Sequence, residues 1–230
     1  MSDNKTLRIL MILTSHGEFG HAGRKTGIWL ESFVTPYFIF RDAGVEVTLT
    51  SPLGGMPPID PTSRQATFPT ADRFNQDDCC RAALADTLPL ADIYAGDFCA
   101  AYYPEGYGAY WDLAENAICA ALTARLHADG RPVALIGSAV AALCLARDAN
   151  GYPLVKSRHI TGLSDSAAHS AGIADELPFS LQQRLSQLGG HFNEHPDTPA
   201  LQDNLLITAG ISGSEAAAHR LLQLVLTSTP

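Results

Sequence analysis

Short apolar runs alternate along the chain with longer segments in which apolar residues recur every three or four positions. Residues 7–13, 98–103 and 133–136 are strand-length and apolar enough to be buried on both faces of a parallel sheet, and 45–50 and 205–208 read as further strands. Between them, helical spacing over 27–43 places Trp29, Phe33, Pro36, Tyr37 and Phe40 on one face, with Gly44 as the stop. Shorter helices are expected over 77–86, 114–128, 139–146, from 164 onward, and over 178–188. A last helix follows Ser212-Gly213-Ser214-Glu215, which has capping-box spacing, and its expected stripe is Leu221, Leu222, Val225 and Leu226. The proline-rich stretch 51–70 reads as an irregular excursion, and Asn150-Gly151 as a turn. Strands alternating with helices from end to end predict one α/β domain over residues 1–230, a mostly parallel sheet covered on both faces.

In such sheets ligands bind beyond the carboxyl ends of the strands. Three loops are expected there: the polar, glycine-rich loop 15–23 with His16 and His21, the loop 104–108 with Glu105, Gly106 and Tyr107, and the corner Gly137-Ser138. The corner joins strand 133–136 directly to an alanine-rich helix, so its residues sit at the positive end of a helix dipole. Pro36 removes the donor for the carbonyl of Ser32, so the first helix should bend beside that serine.

The chain has 230 residues, 46% of them hydrophobic, and a formal charge of −9 without a basic patch, which opposes nucleic-acid binding. Run 7–13 is too short to span a bilayer and lacks the features of a cleaved leader, so a cytoplasmic protein is expected, with no membrane partner. The cysteines (Cys79, Cys80, Cys99, Cys119 and Cys144) show neither C-x-x-C spacing nor neighbouring histidines. They are expected to be reduced, and neither a metal nor another cofactor is indicated.

Several blocks, in order, carry a family resemblance. They are KTGIWLESF at 25–33, RDAGVEVTLTSP at 41–52, PPIDP at 57–61, YPEGYGAYWDL at 103–113, RPVA at 131–134 and LVKSRHITG at 154–162. Across nearly its whole length the chain resembles the ThiJ/PfpI superfamily, in its glyoxalase III-like and chaperone-like branch. The resemblance implies a flavodoxin-like three-layer sandwich that assembles as a homodimer. It also implies a reactive cysteine followed by histidine at the strand-to-helix elbow, and a glutamate from the kinked helix beside the thiol. A helix start lowers a thiol's pKa, and the acid orients the thiolate and shuttles protons. Ungapped matching puts Gly137 on the cysteine, Ser138 on the histidine and Ser32 on the glutamate, with Glu31 about 100° away round the helix. In the loop after Tyr103, Glu105, Gly106 and Tyr107 stand where the family has two glycines and often a histidine.

For Gly137 the favoured reading is relief of a strained elbow, compatible with room for a ligand beside backbone N–H donors. Ser138 is read as a helix N-cap rather than a nucleophile, and Ser32 as structural. Glu105 is evenly balanced between a solvated loop carboxylate and a buried acid or base, whereas Tyr107, like Tyr110 and Trp111, is read as packing first, with a hydrogen bond to a ligand oxygen as the second role of Tyr107. His16, His21, His159 and His169 are each read as structural first, and Cys99 and Cys144 as core. The site expected from these residues has Glu105 and Tyr107 as catalytic groups and Gly137, Ser138, Ser32, Gly106 and His16 as ligand-binding groups. The leading expectation is a small-molecule pocket with cysteine-independent lyase or hydratase-type chemistry. The alternatives are a non-catalytic binding or chaperone-like homodimer and, less favoured, glyoxalase or deglycase activity through another thiol.

Overall fold

The structure is a computed structural model and describes residues 6–20, 23–194 and 199–227. His21 lies outside the described residues. In chain order the strands are β1 (Arg8–Ile12), β2 (Glu18–Phe19), β3 (Arg24–Lys25), β4 (Glu46–Ser51), β5 (Leu88–Pro89), β6 (Ala100–Tyr103), β7 (Val133–Ile136), β8 (His159–Ile160), β9 (His191–Phe192), β10 (Ala200–Asp203) and β11 (Leu206–Ala209). The helices are α1 (Leu30–Asp42), α2 (Pro61–Gln65), α3 (Ala71–Gln76), α4 (Asp78–Ala85), α5 (Ala109–Asp112), α6 (Ala117–Ala128), α7 (Asp165–Ser170), α8 (Leu181–Gln187) and α9 (Ser214–Thr227).

Seven strands form one sheet in the order β10-β11-β7-β6-β1-β4-β5, parallel throughout except for β10 against β11. Alternation along β1 sends Leu10 and Ile12 to one face, with Leu126 of α6, and Ile9 and Met11 to the other, with Phe33 of α1 and Leu221 of α9. Both faces are therefore dry, and the architecture is the flavodoxin-like sandwich. From β1 the chain builds outward to β4 and β5, then returns to build β6, β7 and β11 on the other side. The order reverses between β1 and β6, and their carboxyl ends open the crevice in which ligands of such sheets bind.

Three local expectations change. The alanine-rich segment after the corner is a 3-10 helix, Gly137–Leu143, in place of an α-helix, and every residue in it is buried. Side chains three apart eclipse in this tighter winding, which its small residues tolerate. Within the excursion 51–70, Asp60 caps α2 by accepting a hydrogen bond from the Thr62 N–H, and Pro61 fills the first turn, where no N–H donor is needed. In α9 the buried stripe is Ala217, Ala218, Leu221 and Val225, while Leu226 is 49% exposed because the helical period carries it past the sheet. The helix begins at Ser214, so Ser212 lies in the preceding 3-10 turn. Helix α1 runs on through Pro36.

Candidate functional site

The carboxyl edge is organised by the loop after β6. Glu105 is 1% exposed, and its carboxylate reaches the start of the 3-10 helix. There the Ser138 N–H donates to Oε2 at 2.6 Å and the Ser138 hydroxyl donates to Oε1 at 2.6 Å. Ser138 is thus not an N-cap, because its hydroxyl is turned to the loop carboxylate. A carboxylate receiving a backbone N–H at a helix start also meets the positive end of the backbone dipoles.

Gly137 has φ +53°, in the left-handed region. A Cβ on it would lie 2.7 Å from the Glu105 carboxyl carbon and collide with Oε2. The room left at the elbow by the missing side chain is therefore filled by Glu105, reaching in from the neighbouring strand's loop. The other flank is built from hydroxyls. The Glu105 N–H donates to Ser32 Oγ at 2.8 Å, and Ser32 Oγ also accepts from the Ser214 hydroxyl at 2.8 Å. The Glu105 carbonyl accepts from the Trp29 N–H at 2.8 Å. One hydrogen-bonded path thus joins α9, α1, the β6 loop and the elbow, and it contains Ser32, Glu105 and Ser138.

Burial pushes the Glu105 carboxyl up to about 7, against the opposing effect of the Ser138 hydroxyl and the backbone N–H groups of Ser138 and Gly106. Gly106 is fixed by close packing, since a Cβ on it would lie 2.7 Å from the Gly27 carbonyl oxygen. The Tyr107 ring sits edge-on to Phe19 at 5.3 Å, and among the described residues its hydroxyl makes no hydrogen bond. Its pKa is raised by burial and then by the Glu105 charge, so it remains protonated across the neutral range. His16 stacks on Trp111 at 5.1 Å. His159 and His191 pair across β8 and β9, and His169 binds its own helix through the Asp165 carbonyl.

Two further groups at this edge escaped the sequence reading. Asp112 accepts from the Thr14 hydroxyl at 2.8 Å and the Ser15 N–H at 2.6 Å, and burial pushes it up to about 6. Ser214, read only as part of a capping box, supplies a donor to Ser32. Position after β1 and in the last crossover was the signal available for Thr14 and Ser214, and no local motif marks Asp112.

No thiol stands at the elbow. Burial raises Cys80 and Cys119 to about 12 and Cys144 to about 11, and it also raises Cys99. A thiol so shifted is largely un-ionised at neutral pH and a poor nucleophile. Among the described residues no group of three or more His, Cys, Asp or Glu side chains is placed to hold a metal ion. No helix there is long and apolar enough to cross a membrane.

Fold and site together define a flavodoxin-like α/β protein in which the strand-to-helix elbow after β7 meets the loop after β6, one of the two strands at the topological switch point. No family model matches the chain. It is 26% identical over 203 residues to the glutathione-independent glyoxalase hsp3101 of Schizosaccharomyces pombe, covering 84% of this chain and 83% of the relative. The Francisella tularensis rapid encystment protein of 24 kDa superposes with a TM-score of 0.90 at 27% identity, covering 96% of this chain and 99% of that one. A ThiJ/PfpI domain protein from Brachyspira murdochii has the same fold, with a TM-score of 0.66 at 16% identity over 98% and 100% of the two chains. The chain is thus similar in sequence to glutathione-independent glyoxalases and shares the fold of ThiJ/PfpI domain proteins.

Two outcomes follow from the filled elbow. Gly137→Ala should cost about 3 kcal/mol or more, combining left-handed strain with overpacking against Glu105. In a Glu105→Ala background the same change should cost at least about 1 kcal/mol less. Urea unfolding of the four proteins measures this, and equal costs in both backgrounds would place Glu105 elsewhere. Second, the folded pKa of Glu105, about 7, lies above its ordinary 4.5, so its contribution to stability is fully present below pH 4.5 and lost as pH rises through 7. Relative to Glu105→Gln, the wild type should lose on the order of 3 kcal/mol across that window, and a flat difference would contradict the shift.

Proposed function

We propose that the protein is a cysteine-independent member of the ThiJ/PfpI superfamily that binds a small molecule at the carboxyl edge of the sheet and transfers protons to and from it through Glu105. The reading holds that the family's thiol and its glutamate partner are absent at Gly137 and Ser32. The observation that carries it is the position and character of one group: a buried carboxyl, with a pKa of about 7, stands in the space over Gly137. A carboxyl so tuned is ionised and protonated in comparable amounts at neutral pH, which suits a general acid or base.

The reaction type is lyase or hydratase chemistry on a small carbonyl compound. Glu105 takes the proton from the carbon next to the carbonyl. The released electron pair forms the carbon–carbon double bond, the β carbon–oxygen bond breaks, and the departing oxygen takes its proton from Tyr107. Hydration runs the same transfers in reverse. Ser138 holds the carboxylate, while Ser32 and Gly106 fix the loop that carries it. The step requires a 3-hydroxy carbonyl compound; 2-oxoaldehydes, which carry no β oxygen to lose, are the compounds that test the thiol reading, as the name of hsp3101, a glutathione-independent glyoxalase, suggests. The protein is proposed to act in the cytoplasm as a homodimer, without a cofactor.

A second reading, a non-catalytic binding or chaperone-like homodimer, is favoured by one observation: both Glu105 oxygens already accept from Ser138, and the side chain is 1% exposed. Glyoxalase activity through another thiol is opposed by the raised pKa values of the buried cysteines.

Turnover of methylglyoxal and a panel of small 2-oxo and 3-hydroxy carbonyl compounds, before and after thiol alkylation, separates these readings. The expected result is alkylation-insensitive turnover that rises with pH through about 7. Glu105→Gln should lower it about 100-fold or more and abolish that limb. Alkylation-sensitive turnover would restore the thiol mechanism. Absence of turnover throughout the panel would leave the binding reading in possession.

A further inference from the structure

A cavity whose lining includes none of the elbow residues lies between the start of α1 and the short helices α2, α3 and α4. Its volume is about 380 Å3. Leu30, Phe68, Phe74 and Leu84 form its walls, all of them buried, and Met56 borders it while 62% exposed. Leu53 and Leu88, 79% and 46% exposed, also belong to the excursion and edge strand on this side of the sheet. The polar groups lining the cavity are Arg64, Arg81 and Asn75, and no Asp or Glu side chain lines it. In a chain with a net charge of −9, an apolar cavity whose charged lining is wholly cationic is a selective feature.

The two guanidinium groups differ in commitment. Arg81 pairs with Asp78 at the surface, one turn back on its own helix. Arg64 makes no ion pair among the described residues. It also borders the neighbouring cavity, where the carboxylate of Glu18 is already taken by Lys25. A planar guanidinium without a partner, beside an apolar cavity, matches a carboxylate attached to a hydrocarbon body.

We propose that this cavity binds a medium-chain monocarboxylate, with the alkyl chain against Phe68, Phe74 and Leu84 and the carboxylate accepting hydrogen bonds from Arg64 and, secondarily, Arg81. A methylene takes about the space of a water molecule, roughly 30 Å3, so the cavity holds a chain on the order of ten carbons. Met56 covers the exposed side of that chain, as an adaptable thioether side chain can. The site is independent of the chemistry assigned to Glu105.

Isothermal titration of the full-length protein with decanoate, and with decanol at equal chain length, tests the assignment below the concentrations at which either probe aggregates. Decanoate is expected to bind saturably at one site per chain, with decanol about tenfold weaker for want of the charge-assisted hydrogen bonds. The double substitution Arg64→Gln and Arg81→Gln, at exposed positions, should bring decanoate down to the affinity of decanol. Absence of saturable decanoate binding, equal affinity for the two probes, or undiminished binding by the double variant would each overturn the proposal.

Discussion

A carboxylate held by the backbone and side chain of a single serine is the contact on which the carboxyl edge of this protein depends. Glu105 and Ser138 are 33 residues apart and follow adjacent parallel strands, β6 and β7, yet each Glu105 oxygen accepts a 2.6 Å hydrogen bond from Ser138. Burying a carboxylate is costly unless its lone pairs are met, and here the donors are one backbone N–H at a helix start and one hydroxyl. The pair also explains the glycine beside it. Gly137 is required by its left-handed backbone and by the proximity of Oε2, so Gly137, Ser138 and Glu105 form a single steric and electrostatic unit. Ser32 and Ser214 extend the unit into α1 and α9, so the identity of each residue constrains the next.

Topology makes this convergence possible. The chain reverses its direction of growth between β1 and β6, bringing together loops that are distant in sequence. Thr14 after β1 meets Asp112, and Glu105 after β6 meets the corner after β7. Two carboxyls with raised pKa values therefore stand at one edge of the sheet, Glu105 buried and near 7, Asp112 partly buried and near 6. Each must be read against its donors as well as its burial, because hydrogen bonds from Ser138 and Thr14 pull against desolvation.

Much of this was legible in the residues. Apolar runs marked β1, β6 and β7, helical spacing marked α1 and α6, and the abrupt passage from Ile136 through Gly137 marked the elbow. Glu105 stood out because a carboxylate interrupts a loop where glycines are expected. The contacts of these residues were less legible. Ser138 has the character of an N-cap, and its bond to Glu105 depends on strand order, which no local pattern encodes. Ser214 is reachable only once α9 is known to pack beside α1. Helix α2, by contrast, was announced by Asp60-Pro61, an acceptor followed by a residue that needs no donor, and was obscured by the surrounding prolines. The 3-10 winding after Gly137 reflects packing of small side chains in a fully buried segment, and composition alone favoured an α-helix there.

Glu105 is central here as an enclosed carboxyl whose titration is moved far from its ordinary range. Carbon-13 NMR of protein labelled at the glutamate side-chain carboxyls, with the Glu105 resonance assigned by its absence in Glu105→Gln, reads that property directly. A titration midpoint about 7 is the predicted result. A midpoint at the usual carboxylate value of about 4 would mean that the side chain lies in water, and the filled elbow would not exist.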